Sequence, residues 1–384
     1  MSDHKSPQIS IVVFIDALGW EVLKGRRFMD ERLPFRRKLR SVFGFSSACI
    51  PSILTGLMPR EHRHWSFFYY SPGTSPFKPL RLLGWLPRSL VDRGRVRNLI
   101  SRLIKRVYGY TGYFQIYNVP FEHVDKFDYC EKKDLFVPGG MNRGDNIFDH
   151  LSRAGVPYHV SDWRDTEENN LKALKRDLVQ GKIRFALVYM AAMDALLHEV
   201  GKESPLVDKK LAWYEQQLEE VLRTAAAHYE QVRLFVCSDH GMATVRRTVD
   251  LMSKVEALGL VFGRDYTATY DSTMGRFWFH NPAARERITA LLEQVPEGRI
   301  LPPDELKRLG CDFEGDQFGE LIFLVEAGTL IVPSHMGLQP ITGMHGYHPD
   351  APDSNASLLS NVEPPNDPQV ITDVFHLMCA EAGV

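Results

Sequence analysis

Three short apolar runs organise the hydrophobic pattern of this chain. Residues 9–15, 183–189 and 232–237 are mainly apolar and rich in β-branched side chains, which is typical of strands buried on both faces of a parallel sheet. Segments 145–154 and 206–228 instead repeat their apolar positions with helical spacing. Because strands and helices alternate, the pattern predicts an α/β fold of three layers, with a mostly parallel sheet covered by helices on both faces.

Two stretches interrupt this alternation. Residues 62–141 are rich in proline, glycine and aromatic side chains, and we expect an inserted basic and aromatic cap there. Residues 264–340 alternate short strand-like and helix-like pieces, which predicts an inserted small α+β subdomain. The α/β core is then assembled from the three remaining segments, 1–61, 142–263 and 341–384.

Side chains of the types that bind metals follow the predicted strands. Asp16 comes directly after the first run, Asp239 and His240 follow the third run after one serine, and Asp194 lies a few residues beyond the second. The carboxyl ends of parallel strands meet at one edge of a sheet, where the active sites of open α/β sheets collect. His198 lies four residues after Asp194, so both side chains share a face if the segment is helical. We therefore expect these groups to converge.

His345, in the segment Gly-Met-His-Gly-Tyr, completes a set of three carboxylates and three imidazoles. These ligands are enough to bind two divalent cations and to leave positions open for a substrate. Each motif also has an ordinary explanation, since Asp16 could cap the next helix and Asp194 with His198 could lie on a solvated helix face. The combination of the four motifs, rather than any one of them, predicts a two-metal hydrolase.

A hydroxyl nucleophile is available at Ser46. The stretch 46–55 can form a short helix that ends at Gly56, so the hydroxyl would lie at a helix N-terminus, where free N–H groups and the helix dipole favour an anion. A bound divalent cation lowers the pKa of such a hydroxyl and makes an alkoxide available. Capping of the helix by Ser46 is the alternative, and Ser47 could serve as the cap equally well.

In order and spacing, these residues resemble the alkaline phosphatase superfamily, in particular its type I phosphodiesterase and nucleotide pyrophosphatase branch. The likeness lies in the Ser-Asp-His-Gly-Met segment at 238–242, the His-Gly-Tyr segment at 345–347 and the Thr-Gly pair that begins nine residues after Ser46. These motifs extend over most of the chain. The resemblance implies an alkaline-phosphatase-like α/β/α sandwich with inserted cap segments.

The resemblance also implies a role for each candidate residue. It implies two divalent metal ions, zinc in that branch with manganese as the alternative, and a covalent intermediate on Ser46. One ion would be held by Asp194, His198 and His345, and the other by Asp16, Asp239, His240 and Ser46. The sulfatases of the superfamily carry a Cys-x-Pro-x-Arg signature, but the segment that starts at Cys49 has Ile53 in place of the arginine. We therefore exclude a sulfatase.

The predicted function follows from this set. We expect a two-metal phosphoester hydrolase, more specifically a phosphodiesterase, that acts on a small-molecule or lipid-linked phosphoester through a phospho-enzyme intermediate on Ser46. The alternative is a phosphomonoesterase, or a transferase of a phospho-group on a lipid- or sugar-linked substrate. A catalytically silent binding protein on the same fold is an alternative of another class, which the complete ligand set disfavours.

Composition narrows the choice of partner and compartment. The chain has 46 basic and 48 acidic residues, a balance that gives no general attraction to nucleic acid. Its 5 cysteines form no CxxC pair, and their odd number argues against a disulfide framework. Because the N-terminus leads directly into the first predicted strand, we expect no signal peptide. No apolar stretch approaches the ~20 residues needed to cross a bilayer. A cytoplasmic enzyme is expected, and the sequence predicts no oligomeric state.

The segment 78–106 departs from this neutral balance. It carries nine basic residues, one of them Arg88, against a single acid, Asp92, and its interleaved apolar side chains give it an amphipathic character. Peripheral contact with an anionic membrane is one interpretation. A solvated basic face is the other.

Four further residues are candidates for contact with the substrate. Trp65 and His64 belong to a histidine-rich and aromatic stretch that could line a pocket. Arg276 could grip a phosphate with its planar guanidinium, and Asp271 lies close to it in the sequence. These four contacts are predicted from residue type and neighbourhood alone.

Overall fold

The computed structural model describes residues 5–87 and 91–384, so Arg88 lies outside the described residues. The strands are β1 (Ser6–Ile15), β2 (Phe35–Leu39), β3 (Phe68–Tyr70), β4 (Phe127–Tyr129), β5 (Tyr158–Val160), β6 (Phe185–Met190), β7 (Tyr229–Cys237), β8 (Ala243–Thr244), β9 (Arg247–Val249), β10 (Tyr266–Tyr270), β11 (Met274–Phe279), β12 (Gly298–Ile300), β13 (Leu321–Val325), β14 (Thr329–Ile331), β15 (Gly343–Met344) and β16 (Ala356–Ser360).

The α-helices that the described ranges contain are α1 (Trp20–Leu23), α2 (Ser46–Thr55), α3 (Pro59–His62), α4 (Gly94–Tyr108), α5 (Ile147–Arg153), α6 (Glu167–Gln180), α7 (Ala192–Val200), α8 (Pro205–His228), α9 (Leu251–Glu256), α10 (Pro282–Leu292), α11 (Pro303–Arg308) and α12 (Asp373–Ala382). Short 3-10 helices occur at Lys78–Trp85, Val124–Lys126, Glu314–Asp316 and Pro352–Ser354. Within the described ranges, no helix combines the length and apolarity that crossing a membrane requires.

A six-stranded sheet with the order β2-β16-β7-β1-β6-β5 forms the centre of the fold. β1 pairs in parallel with both β6 and β7, and β5 pairs in parallel with β6. β16 runs antiparallel between β7 and β2. The prediction of a mostly parallel sheet is confirmed, and β16 is an antiparallel strand that the hydrophobic pattern did not predict.

Alternate side chains of β1 enter two different hydrophobic clusters. Ile9, Ile11 and Val13 pack with residues of α6, α7 and α8, whereas Val12 and Phe14 pack with residues of α2 and α12. Successive side chains of a strand point to opposite faces, so helices cover this sheet on both sides. The predicted α/β/α layering is therefore confirmed.

The helix predicted at 206–228 is α8, whose bounds agree with the prediction to one residue. Pro205 occupies its first position and the Ser204 side chain accepts a hydrogen bond from Leu206 N, which is a favoured start for a helix. The helix predicted at 145–154 is shorter, because Asn146 caps α5 and accepts from Phe148 N. Local capping chemistry thus sets the ends of both helices.

The two predicted insertions have their own secondary structure. Within 264–340 lies an antiparallel sheet with the order β10-β11-β13-β12, and its Phe277 and Phe323 belong to the same hydrophobic cluster as α2 and α12. Within 62–141 a separate cluster forms around Phe77 and Ile104. The division of the chain into core, cap and subdomain stays a prediction.

Candidate active site

Three neighbouring parallel strands bring the predicted carboxylates together. Asp16 directly follows β1, and Asp239 follows β7 after one residue. Asp194 lies in the first turn of α7, which begins just after β6. Because β7, β1 and β6 are adjacent in the sheet, their carboxyl ends place all three side chains at one edge.

The six predicted ligand residues form two groups. Within each group the potential ligand atoms all lie within 4.8 Å of one another. We call them site A, formed by Asp16, Asp239 and His240, and site B, formed by Asp194, His198 and His345. Both groups match the division that the resemblance implied.

A small antiparallel strand pair brings His345 beside His240. His345 directly follows β15, and β15 pairs with β8, which begins three residues after His240. The two imidazole rings are stacked, with centroids 3.8 Å apart and planes 9° from parallel. Sites A and B therefore adjoin each other along this ring stack.

Backbone carbonyls orient two of the imidazoles. His198 Nδ1–H donates to Gly343 O at 2.8 Å, and His240 Nδ1–H donates to Gly241 O at 3.0 Å. In each ring Nε2 is then directed at a carboxylate, 3.4 Å from Asp194 Oδ1 in site B and 3.1 Å from Asp239 Oδ2 in site A. A hydrogen bond of this kind fixes the ring and its tautomer in metal-binding histidines.

Each carboxylate has one oxygen without a hydrogen-bond partner. Asp16 Oδ1, Asp239 Oδ2 and Asp194 Oδ1 are buried and accept no hydrogen bond from the described residues. The opposite oxygens are used, since Tyr189 donates to Asp16 Oδ2 and His240 N donates to Asp239 Oδ1. An unsatisfied buried acceptor costs on the order of 1–3 kcal/mol, and more when it is charged. Cations in sites A and B would offset this cost, so the residues fit metal ions.

The charges of the two sites perturb one another. Burial, together with the charges of Asp239 and Asp194, raises the pKa of Asp16 well above its usual value. Burial lowers the pKa of His240, but Asp239, Asp16 and Asp194 outweigh it and raise this pKa to about 10. Burial and the neighbouring charge of His240 lower the pKa of His345. The three carboxylates thus form a cluster of negative charge that favours bound cations.

Ser46 is the first residue of α2, and its side chain contacts site A. Its Oγ lies 3.0 Å from His240 Nε2, whereas the N-cap residue of the helix is Phe45, with no capping hydrogen bond from a side chain. Ser47 donates to Trp65 O and is buried. The hydroxyl of Ser46 is therefore available at site A, and that of Ser47 is engaged elsewhere.

The structure does not support substrate contacts for Arg276 and Asp271. The guanidinium of Arg276 is completely buried and forms an ion pair with Asp271 Oδ2 at 2.8 Å. Three more of its five N–H groups donate to Ser66 Oγ, Phe68 O and Phe318 O. A phosphate ligand needs free donors, so this geometry gives neither assignment support, and both stay predictions. The pair is a buried link between β11 and two distant segments.

The predicted substrate contacts of Trp65 and His64 are also unsupported, because both side chains are buried. Trp65 Nε1 donates to Phe43 O at 2.7 Å, and the indole packs against the rings of Phe43 and Phe318. His64 Nε2 accepts from Asn142 N at 3.0 Å, and burial lowers the pKa of His64 to about 3. Both residues belong to the interior.

Tyr189 and two glycines support site A without having been predicted. Tyr189 donates to Asp16 from the end of β6. A Cβ on Gly19 would lie 2.2 Å from Gly241 Cα, and a Cβ on Gly241 would lie 2.4 Å from Asp353 O. The loop after β1 can therefore touch the loop after β7 only because Gly19 lacks a side chain, and the loop after β7 can approach Asp353 only because Gly241 lacks one. The glycine next to Asp239 and His240 was the available signal, since glycine marks close backbone approaches.

We expect Gly241→Ala to lower the free energy of unfolding by about 1–3 kcal/mol, the usual cost of overpacking. The added methyl group would push the loop after β7 away from Asp353 O. Urea denaturation measures the change. Gly73→Ala is the matched control, because a Cβ there meets nothing within 4 Å, and its effect should stay within about 0.5 kcal/mol. Equal stabilities of the two variants would show that the loop after β7 is not in close contact with the backbone of Asp353.

The chain is similar to known proteins in sequence and in structure. The family described as type I phosphodiesterase / nucleotide pyrophosphatase matches residues 10–348. Human ectonucleotide pyrophosphatase/phosphodiesterase 5 has a similar structure, with a TM-score of 0.69 at 14% identity over 99% of this chain and 95% of that chain. Its murine counterpart gives 0.69 at 15% identity over 99% and 95%. An inactive variant of the murine protein in complex with AMP gives 0.68 at 15% identity over 98% and 95%. No curated protein matches the sequence.

The solved structures, at this low identity, establish the fold, and they confirm the predicted alkaline-phosphatase-like architecture. The family match extends over most of the chain and includes Ser46 and both ligand groups. The resemblance inferred from the sequence is thereby confirmed. The chain belongs to the type I phosphodiesterase / nucleotide pyrophosphatase family, a family of phosphodiesterase and pyrophosphatase hydrolases.

Proposed function

We propose that this protein is a metal-dependent phosphodiesterase that hydrolyses small substrates of the nucleotide type, with Ser46 as the nucleophile. The observation that carries the proposal is the Ser46 hydroxyl, 3.0 Å from His240 Nε2, next to two adjoining groups of carboxylates and imidazoles. Membership of the family supports hydrolysis of a phosphodiester or pyrophosphate bond. The AMP bound to the murine neighbour supports a nucleotide-type substrate.

Sites A and B would each hold one divalent cation. Mixed carboxylate and imidazole ligands suit zinc, with manganese as the alternative. When bound, two such ions would stabilise charge on the attacking and leaving oxygens and lower the pKa of a nearby hydroxyl. The carbonyl oxygens of Gly343 and Gly241 would keep His198 and His240 in the tautomer that offers Nε2.

Ser46 would carry the covalent step. Its Oγ attacks phosphorus, and the bond from phosphorus to the leaving oxygen breaks, so that an alcohol departs and the remaining phosphoryl group is esterified to Ser46. The amino end of α2, where the helix dipole is positive, favours the negative phosphoryl oxygens. Water then attacks the same phosphorus, the Oγ–P bond breaks, and Ser46 regains its proton as a phosphomonoester leaves.

The direct test is metal content together with turnover. We expect the purified full chain to contain two equivalents of zinc or manganese and to hydrolyse bis-p-nitrophenyl phosphate. Dialysis against EDTA should abolish turnover, and added zinc should restore it. The rate on p-nitrophenyl phosphate, measured beside it, distinguishes a diesterase from a monoesterase. A chain with both metals bound that hydrolyses neither ester nor any dinucleotide would contradict the proposal.

A further inference from the structure

Helix α4 exposes a stripe of apolar side chains. Leu99, Leu103 and Val107 have relative exposures of 65%, 60% and 67%. They follow one another at intervals of four residues, so they lie along one side of the helix. Large apolar side chains that stand singly on a surface are common, but a contiguous exposed stripe marks an interaction site.

The opposite side of α4 is buried. Arg97 and Ser101 are buried there beside Ile104. The guanidinium of Arg97 donates to Tyr117 O, Val119 O and Asp92, and Ser101 donates to Arg97 O. The bonds from Arg97 to Tyr117 O and Val119 O, which lie outside the helix, fix its rotation about its axis. The apolar stripe is therefore held outward by specific contacts.

The 3-10 helix Lys78–Trp85 shows the same arrangement. Its Leu80 and Leu83 pack against the hydrophobic cluster that also contains Ile104. Leu82 and Trp85 face outward, with exposures of 69% and 89%. Two elements that share one hydrophobic cluster thus both present apolar side chains to the outside. We call the exposed side chains of Lys78–Trp85 and α4 the outer cap face.

Basic residues accompany the apolar stripe. At 3.6 residues per turn, positions 95, 102 and 106 fall next to the stripe of Leu99 and Leu103. Arg95, Arg102 and Arg106 are exposed, and within the described ranges no carboxylate lies at ion-pair distance from them. Because the chain as a whole has a formal net charge of −2, this concentration of unpaired arginines is local. Its complement is a surface that is both anionic and able to accept apolar side chains.

We propose that the outer cap face binds the surface of anionic phospholipid bilayers. Leucine and tryptophan side chains enter the boundary between headgroups and acyl chains, and the flanking arginines contact lipid phosphates. Tryptophan is suited to this boundary because its ring is apolar and its N–H is polar. An acidic protein partner would satisfy the arginines, but it would not by itself explain an exposed apolar stripe in line with them.

Vesicle flotation of the full chain tests the proposal. We expect binding to phosphatidylcholine vesicles that contain phosphatidylglycerol, weak binding to phosphatidylcholine alone, and loss of binding in high salt. L99S/L103S should weaken binding by about tenfold or more, because two apolar anchors are lost. The triple variant R95Q/R102Q/R106Q should weaken it by a similar factor on anionic vesicles.

The matched control is V179S/L338S, which removes two exposed apolar side chains that lie outside the outer cap face. It should bind vesicles as the wild type does, and thermal unfolding should show that all variants are folded. Equal binding by L99S/L103S and the control would overturn the proposal, as would equal binding to both kinds of vesicle. The membrane proposal would also be wrong if the wild type did not bind vesicles but formed a dimer that L99S/L103S converts to a monomer. That result would assign the outer cap face to contact with a second copy of the chain.

Discussion

Ser46→Ala is expected to reduce the turnover of bis-p-nitrophenyl phosphate by about 10³-fold or more while the metal content stays unchanged. Removal of an enzymatic nucleophile costs several orders of magnitude in rate. Ser46 Oγ contacts His240 Nε2, yet all six carboxylate and imidazole ligands survive the substitution. Steady-state kinetics and elemental analysis on the same preparation measure both quantities.

Ser47→Ala is the control for this prediction. Ser47 is the next residue along the same helix, but its hydroxyl donates to Trp65 O and is buried. We expect it to retain activity and to lose about 1 kcal/mol of stability, the usual contribution of one hydrogen bond. If Ser47→Ala were inactive and Ser46→Ala were not, the nucleophile would have been assigned one residue out of register.

Asp239→Asn is expected to weaken zinc binding at site A by more than about 100-fold and to reduce turnover accordingly, since even residues that only orient metal ligands contribute 10- to 100-fold. The Asp239 carboxylate is buried, with Oδ2 unpaired and Oδ1 accepting from Ala17 N and His240 N. Asparagine retains the shape and the acceptor oxygen but removes the charge. Titration with zinc against a competing chelator measures the affinity.

Asp271→Asn is the matched control, because it removes a buried carboxylate that lies outside the two sites. It removes the charged partner of Arg276, so we expect the free energy of unfolding to fall by about 3 kcal/mol while two equivalents of zinc are retained. The two variants should therefore differ: Asp239→Asn should lose metal, and Asp271→Asn should lose stability. Retention of both zinc ions at full affinity by Asp239→Asn would show that site A is wrongly assigned.

The positions of the carboxylates could be predicted from the sequence because they depend on local patterns and one general rule. Asp16 and Asp239 each follow a run of buried strand residues, and the carboxyl ends of parallel strands meet at one edge of the sheet. The spacing of Asp194 and His198 fits one helical turn. Most of the candidate site could therefore be predicted from motifs in which a polar residue follows the end of a strand.

The sequence was least informative where a residue's partners are distant along the chain. Arg276 has the side chain of a phosphate ligand, but Ser66, Phe68 and Phe318 supply its acceptors, and residue type does not reveal them. The close approach of Gly19 to Gly241 likewise depends on two loops that meet only in the folded chain. The partners of Arg276 and the approach of the two glycines are both set by tertiary contacts, which local sequence preference does not reveal.

The position of β16 sets the order in which a growing chain can complete this enzyme. β2, which leads toward Ser46, has β16 as its only neighbour in the central sheet of the described structure, and β16 lies after His345 in the chain. Synthesis proceeds from the amino end, so a nascent chain exposes the unpaired edge of β7 until residues 356–360 have emerged from the ribosome. An open strand edge invites wrong pairing, so the unfinished polypeptide is exposed to this risk during that interval.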